Sequence, residues 1–133
     1  MINLIPIFQE KKSVLILYDL LKERTPEQSI SHKKMPNLIE HTEFVRRHPY
    51  QAWYLIQSPE DGYVGSIYLT RRREIGVFVF NAFKGHGYGT HAIKEIMAKW
   101  PGKFFANVNP DNKDSMRFFS KLGDVIQVTY EIF

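Results

Sequence analysis

The sequence contains no cysteine, which excludes disulfides, a thiolate nucleophile and thiolate metal ligation together. It also lacks any long apolar run. Val14 to Tyr18, as long as any, breaks at Asp19, far short of the roughly 18 residues that a membrane-crossing helix needs. The first residues show no basic start followed by an apolar stretch and a small-residue cleavage site, so the expected compartment is the cytoplasm. Internal repeats, low-complexity tracts and interdomain linkers are absent as well, and 133 residues leave room for one domain over 1–133. What is there is ample material for a core: 44% hydrophobic and 14% aromatic residues, with 10 Phe and 7 Tyr. The net charge of +4, from 18 basic against 14 acidic residues, suits nucleic acid, an anionic surface or a phosphorylated small molecule, and does not choose among them.

Apolar periodicity gives the elements. Ser13 is placed to cap a helix over Val14 to Arg24, with Leu17, Leu20 and Leu21 on one face and Thr25-Pro26 as its stop. Residues 25–36 read as a loop. Asn37 and Glu40 fit a capping box for a second helix whose basic end, Arg46-Arg47-His48, suits the dipole and which Pro49 terminates. Three strands follow at Gln51–Gln57, Tyr63–Thr70 and Ile75–Phe80, joined by short links that favour an antiparallel meander. A helix through Ala92, Ile93, Ile96, Met97 and Trp100, a strand Lys103–Asn109, a helix Lys113–Leu122 and a last strand Val125–Phe133 complete an α/β chain with a mixed sheet.

The stretch that carries chemistry runs from Val77-Phe78-Val79 into Lys84-Gly85-His86-Gly87-Tyr88-Gly89-Thr90. Glycines let backbone amides approach a ligand, and a helix N-terminus adds unpaired donors and partial positive charge, so the place suits a pyrophosphate. Lys84 can add a full charge. A turn that merely reverses the chain explains the same glycines. The spacing fits neither a P-loop, which ends in Gly-Lys-Ser/Thr, nor a dinucleotide fingerprint, which has two residues before its third glycine.

Lys84-Gly85-His86-Gly87-Tyr88-Gly89 resembles the Arg/Gln-x-x-Gly-x-Gly/Ala signature of the GNAT superfamily of N-acetyltransferases, with Lys84 at the position of the usual Arg or Gln. Val108 to Gly123 is similar to that family's second cofactor motif, with an asparagine, a small residue three positions on, an aromatic and a Lys-Leu-Gly ending. The specific part of the resemblance spans residues 63–123. It implies a mixed, mostly antiparallel central sheet flanked by helices and splayed at the acetyl-CoA site. It further implies acetyl-CoA as cosubstrate, with Val77, Phe78 and Val79 pairing with its pantetheine arm. By the same resemblance the loop 84–89 and Thr90 hold the pyrophosphate, and Asn112, Ser115 and Phe119 meet the pantetheine and adenosine portions. Lys113 or Arg117 is then placed for the 3′-phosphate. Asn112 also reads as an ordinary helix cap.

Two departures bear on the reaction. Phe119 stands where the family often has a tyrosine that protonates the leaving thiolate, and Asn107 falls near a glutamate base of some members; neither side chain can move a proton in that way. Direct attack by an amine on the thioester remains open, with Glu74 as the proposed end of a proton-removing water chain and His32, His41 and His48 behind it. Glu74 also reads as a solvated surface charge neutralising Arg71 to Arg73. The acceptor site is expected in the loop 25–36, the second helix and the outer ends of the first two long strands. Glu40-His41, Phe44 and Trp53-Tyr54 are similar to residues of GNAT enzymes acting on amino sugars or protein N-termini, and His32, Lys33 and Lys34 could meet an anionic carrier. The expected function is acetyl transfer to a primary amine, such as that of an amino sugar, by a monomer or homodimer with no nucleic-acid or membrane partner and no metal. A non-catalytic acyl-CoA sensor, a protein N-terminal acetyltransferase and a nucleic-acid module using Arg71 to Arg73 are the alternatives.

Overall fold

A computed structural model describes residues 1–24 and 34–133; most of the expected loop 25–36, including His32 and Lys33, lies outside them. The chain opens on a strand, β1 (Asn3–Pro6), followed by a short 3-10 turn at Ile7–Gln9 and helix α1 (Ser13–Lys22). Helix α2 (Leu38–Arg46) leads into strands β2 (Ala52–Ser58), β3 (Gly62–Leu69) and β4 (Ile75–Val79). A second 3-10 turn at Asn81–Phe83, helix α3 (Tyr88–Lys99) and helix α4 (Lys113–Ser120) follow.

The four strands lie in the order β1-β2-β3-β4, each antiparallel to its neighbour. Alternation along them builds two apolar layers. Ile56, Ile67, Leu69 and Ile75 pack with Ala92, Ile93 and Ile96 of α3, while Leu55 packs with Leu17, Leu20 and Val45 of α1 and α2. A bulge between Ile56 and Gln57 takes Val64 out of the alternation, so Val64 joins the α3 layer and Tyr63, next to it, the α1 layer.

Local chemistry sets the helix ends. The capping box of α2 is complete: Glu40 N donates to Asn37 Oδ1 at 2.8 Å and Asn37 N to Glu40 Oε1 at 2.9 Å. The helix stops at Arg46, short of the expected Pro49, because His48 takes a left-handed φ of 50°. Ser13 is not the cap of α1. It is the first helical residue, buried, and its hydroxyl donates to Ile7 O at 2.6 Å, tying the helix to the preceding turn.

Three expectations for the sheet need correction. β1 was not anticipated. The segment Lys103–Asn109 is not a full strand but an isolated parallel bridge, with Ile75 N donating to Phe105 O at 2.7 Å and Phe105 N to Arg73 O at 2.8 Å. That bridge supplies the parallel part of the expected mixed sheet. Val125–Phe133 forms no strand; with no extended neighbour beyond Phe105 to receive it, the segment is exposed throughout. Among the described residues no helix is long and apolar enough to cross a membrane.

Candidate active site

Where the bridge at Phe105 ends, the outer edge of β4 opens. Thr70 N donates to Glu74 O at 2.8 Å and Phe80 N to Val64 O at 2.9 Å, with Gly76 opposite Tyr68 and Phe78 opposite Ser66 between them. Antiparallel alternation then directs the amide and carbonyl of residues 74, 76, 78 and 80 toward β3 and those of 75, 77 and 79 away from it. Ile75 N is taken by Phe105, so Val77 and Val79 are the residues that present main-chain groups to an edge with no strand beside it. Phe78, expected to join them, has its main chain engaged with β3.

The edge runs on into the glycine loop. Gly85 and Gly87 have φ of +83° and +81°, which L side chains rarely adopt, and open space surrounds the position of a Cβ at each. Backbone conformation therefore requires glycine here, and no other atom crowds the loop at these two positions. Gly87 is the N-cap of α3, no side chain caps the helix, and its first bond joins His91 N to Gly87 O at 3.1 Å. The amides of the first turn are thus left without helical partners. Lys84 and His86 are exposed, and His86 Nδ1 donates to Phe83 O at 2.8 Å.

Tyr88 is buried and acts through its hydroxyl, which donates to the Asp61 carboxylate and lies 3.0 Å from Ser58 Oγ. The bond to Asp61 pushes the phenol above the usual tyrosine range. Ser58 Oγ also accepts from the amides of Glu60 and Asp61 at 3.2 Å, so the β2–β3 turn and the start of α3 are held together. The far wall is α4: Phe118 Cζ lies 3.5 Å and Val77 Cγ2 3.9 Å from where a Cβ on Gly89 would stand. Asn112 caps α4, its Oδ1 accepting from Ser115 N at 3.1 Å. Phe119 packs edge-on against Phe118, with ring centroids 5.0 Å apart, at the margin of the α3 core. Arg117 pairs with Asp114 at 3.5 Å; Thr90 is the third residue of α3 and exposed Lys113 the first of α4.

On the opposite face of β4 is a pocket of about 550 Å³, between α1, α2 and the sheet. Its walls are aromatic. Tyr50 and Tyr68 stack at 3.9 Å with 4° between their planes, and Trp53 stands edge-on to Tyr50 at 4.7 Å. Phe78 closes it on the β4 side, under the Arg24 guanidinium, which sits 4.2 Å above the ring centroid. Gly76 permits this wall: a Cβ there would stand inside the Tyr68 ring.

Not every expected residue comes to the pocket. Glu74 does not line it; its carboxylate accepts from Asn107 Nδ2 at 2.6 Å and from Thr70 Oγ1 at 3.2 Å, fastening the last closed rung before the edge opens. His48 stacks on Phe8 at 3.8 Å and lies outside the pocket, whereas buried His41 lines it with Nε2 donating to Val14 O at 3.1 Å. Arg71 donates to the carbonyls of His48 and Pro49, and Arg73 to those of Trp100, Pro101 and Lys103, so both staple loops. Sequence reasoning missed Arg24, Tyr50 and Tyr68. A signal for Arg24 existed, since it falls four residues after Leu20 and seven after Leu17, on the buried helix face. Among the described residues no group of three or more His, Asp or Glu is arranged to hold a metal.

The acetyltransferase (GNAT) domain family matches residues 17–124. The chain belongs to this family. Among curated protein sequences none matches this GNAT chain. Solved structures share its fold. A mutant of the spermidine N-acetyltransferase SpeG from Vibrio cholerae superposes with a TM-score of 0.71 at 13% identity, covering 96% of this chain and 81% of that one. A domain from Methanocaldococcus jannaschii gives 0.76 at 18% identity, with 92% and 86% covered. A provisionally assigned phosphinothricin N-acetyltransferase gives 0.71 at 14%, with 92% and 82% covered. The GNAT chain is accordingly an acetyltransferase with the fold of that family, and the glycine loop and second motif fall within the matched residues.

Proposed function

We propose that this enzyme transfers the acetyl group of acetyl-CoA to the primary amine of a small molecule. One observation carries the reading: unpaired main chain at Val77 and Val79 continues through the loop 84–89 into the uncapped first turn of α3, and Phe78, between those two valines, walls a pocket on the other face. The residues fit the cosubstrate. A strand edge with alternating donors and acceptors suits the amides of a pantetheine arm, and the uncrowded glycine loop at a helix N-terminus suits a pyrophosphate, with Lys84 adding charge. Asn112, with its side-chain oxygen already engaged in the cap, and Ser115 start the helix that flanks this line.

Acetyl-CoA supplies an activated acyl group on a leaving thiolate. The amine lone pair forms a bond to the acetyl carbon, the carbon–sulfur bond breaks with its pair going to sulfur, and the proton lost by nitrogen balances the thiolate. The chain contributes position above all. Phe119 has no proton to give, and Glu74 is engaged by Thr70 and Asn107 away from the pocket, so acceleration rests on holding amine and thioester in one geometry.

These same two residues favour a second reading, a non-catalytic acyl-CoA sensor. Thermal shift with acetyl-CoA and a thiol-detecting assay over an amine panel separate the two. Stabilisation with amine-dependent release of CoA supports the enzyme. Stabilisation without release supports the sensor, and neither signal defeats both.

A further inference from the structure

We infer that the acceptor pocket recognises an oxyanion, a carboxylate or phosphate, carried by the amine it acetylates, with Arg24 as its binding residue. The inference rests on the pocket being the acceptor site of the proposed reaction. It starts from two nitrogens. Among the described residues, the buried side-chain polar atoms without a hydrogen-bond partner are Arg24 Nε and Trp53 Nε1, and both residues line the same pocket. Buried polar atoms in native proteins are nearly always bonded, and an exception calls for a missing ion, water or ligand. Both of these are donors, so the missing group is an acceptor.

Charge narrows it further. No carboxylate pairs with the Arg24 guanidinium among the described residues, and burial pulls its pKa down, although a guanidinium remains charged at any physiological pH. A half-buried cation resting on the Phe78 ring is left with an unmatched charge, which a bidentate oxyanion would satisfy. The acidic residues lining the pocket do not meet this need: Glu40 is engaged by Asn37 N at 2.9 Å, and Glu43 is exposed on α2. Lys34 and Arg47, exposed at the same pocket, add two more positive charges. Tyr50 and Tyr68 beside Arg24 hydrogen-bond each other and are kept neutral by burial, so they bring no negative charge to the guanidinium. A polyamine would bring its ammonium groups against this positive wall and leave both nitrogens unpaired.

Position adds a length. Arg24 lies directly on Phe78, whose neighbours Val77 and Val79 form the open edge. The oxyanion and the reacting amine are therefore close together in the acceptor, as in an amino acid, and the aromatic walls receive the rest of the molecule.

The test uses matched acceptors that differ only in the anion: L-phenylalanine against phenethylamine, its phosphonate analogue 1-amino-2-phenylethylphosphonic acid against phenethylamine, and spermidine as the cationic control. Release of CoA is measured for the full chain and for Arg24→Gln, with ligand-observed NMR of the same compounds as a readout independent of turnover. The expected result is that the anionic member of one pair is favoured, and which pair responds identifies carboxylate or phosphate. Arg24→Gln should raise its KM or Kd by roughly 10- to 100-fold and leave the counterpart that lacks the anion unchanged. Preference for spermidine or the members that lack the anion, an anionic preference that survives Arg24→Gln, or binding of none of these compounds would overturn the inference. Where Arg24→Gln fails to fold, Trp53→Phe keeps an aromatic ring in the wall, removes the second nitrogen, and should weaken the anionic member alone by roughly 3- to 10-fold; no weakening counts against the site. Loss of acetyl-CoA binding would instead remove the proposed reaction, and the NMR comparison would still decide whether Arg24 reads an anion.

Discussion

Gly76→Ala isolates the device that builds the pocket wall. An alanine in place of glycine within a strand ordinarily stabilises by about 0.5–1 kcal/mol, through lower backbone entropy in the unfolded chain. Here the new methyl would stand inside contact distance of Cζ, Cε2 and Oη of Tyr68. The ring cannot swing freely, because Tyr50 stacks on it at 3.9 Å and Phe78 flanks it at 6.2 Å. Overpacking of this kind costs about 1–3 kcal/mol, and loss of a stacked pair about 0.5–1.5 kcal/mol. Against the small entropic gain, the net is a destabilisation of about 1–3 kcal/mol, or a fall in Tm of roughly 3–10 °C for a domain of this size. Denaturant melts of four proteins give the answer: wild type, Gly76→Ala, Tyr68→Ala and the double variant. With Tyr68 truncated, Gly76→Ala should be neutral or mildly stabilising. An alanine that stabilises the wild-type background, or costs the same in both, would refute the argument that Tyr68 requires this glycine.

Other perturbations probe the remaining parts. Gly87→Ala, at a φ of +81° with open space around it, should cost about 1–2 kcal/mol from backbone conformation alone, seen as a lower melting midpoint, while Gly87→Val should in addition abolish the melting shift produced by acetyl-CoA. Phe119→Tyr keeps the ring that packs on Phe118, so acetyl-CoA affinity should hold while turnover rises by up to roughly the 10²–10⁴-fold of a positioned general acid; unchanged turnover would remove this position from proton transfer. Glu74→Gln should loosen the Phe105 bridge, read as faster amide exchange at Phe105, and a selective loss of turnover on the acidic side of the optimum would instead mark Glu74 as the end of a water chain. Burial raises the pKa of Tyr50 and Tyr68; a group raised on folding contributes stability that is complete below its unfolded value and is lost as pH climbs toward the folded one. Stability should therefore fall above the ordinary tyrosine range of about 10, and an ultraviolet titration of the native protein should show four phenols ionising late, since Tyr63, bonded to Glu10, and Tyr88, bonded to Asp61, are raised as well.

What the sequence made legible was local. The Asn37–Glu40 box, the meander of β2 to β4 and the glycine loop each depend on residues within a few positions of one another, and side-chain chemistry decides such features directly. β1 escaped notice because Asn3–Pro6 is short, only partly buried, and exists through pairing with Ile56 and Leu55 some fifty positions away. The alternation over Val125–Phe133 reads as a strand, yet a strand needs an edge, and the segment around Phe105 offers only a bridge. For the site, residues 77–90 carry their own pattern, whereas the acceptor pocket is assembled from α1, α2, β2, β3 and β4 together. Arg24 closes an apolar helix face and then precedes Thr25-Pro26, a context that reads as a stop signal until Phe78 is seen beneath it.

The central claim is that acetyl-CoA lies along the outer edge of β4 and across the start of α3. Amide hydrogen exchange resolved by residue, with and without acetyl-CoA, tests it most directly. Protection should rise at Val77 and Val79 and through the loop 84–89, while Phe78, whose amide already faces β3, should stay as it is. Protection confined to other surfaces, or no change along β4 and the loop at saturating acetyl-CoA, would contradict the account.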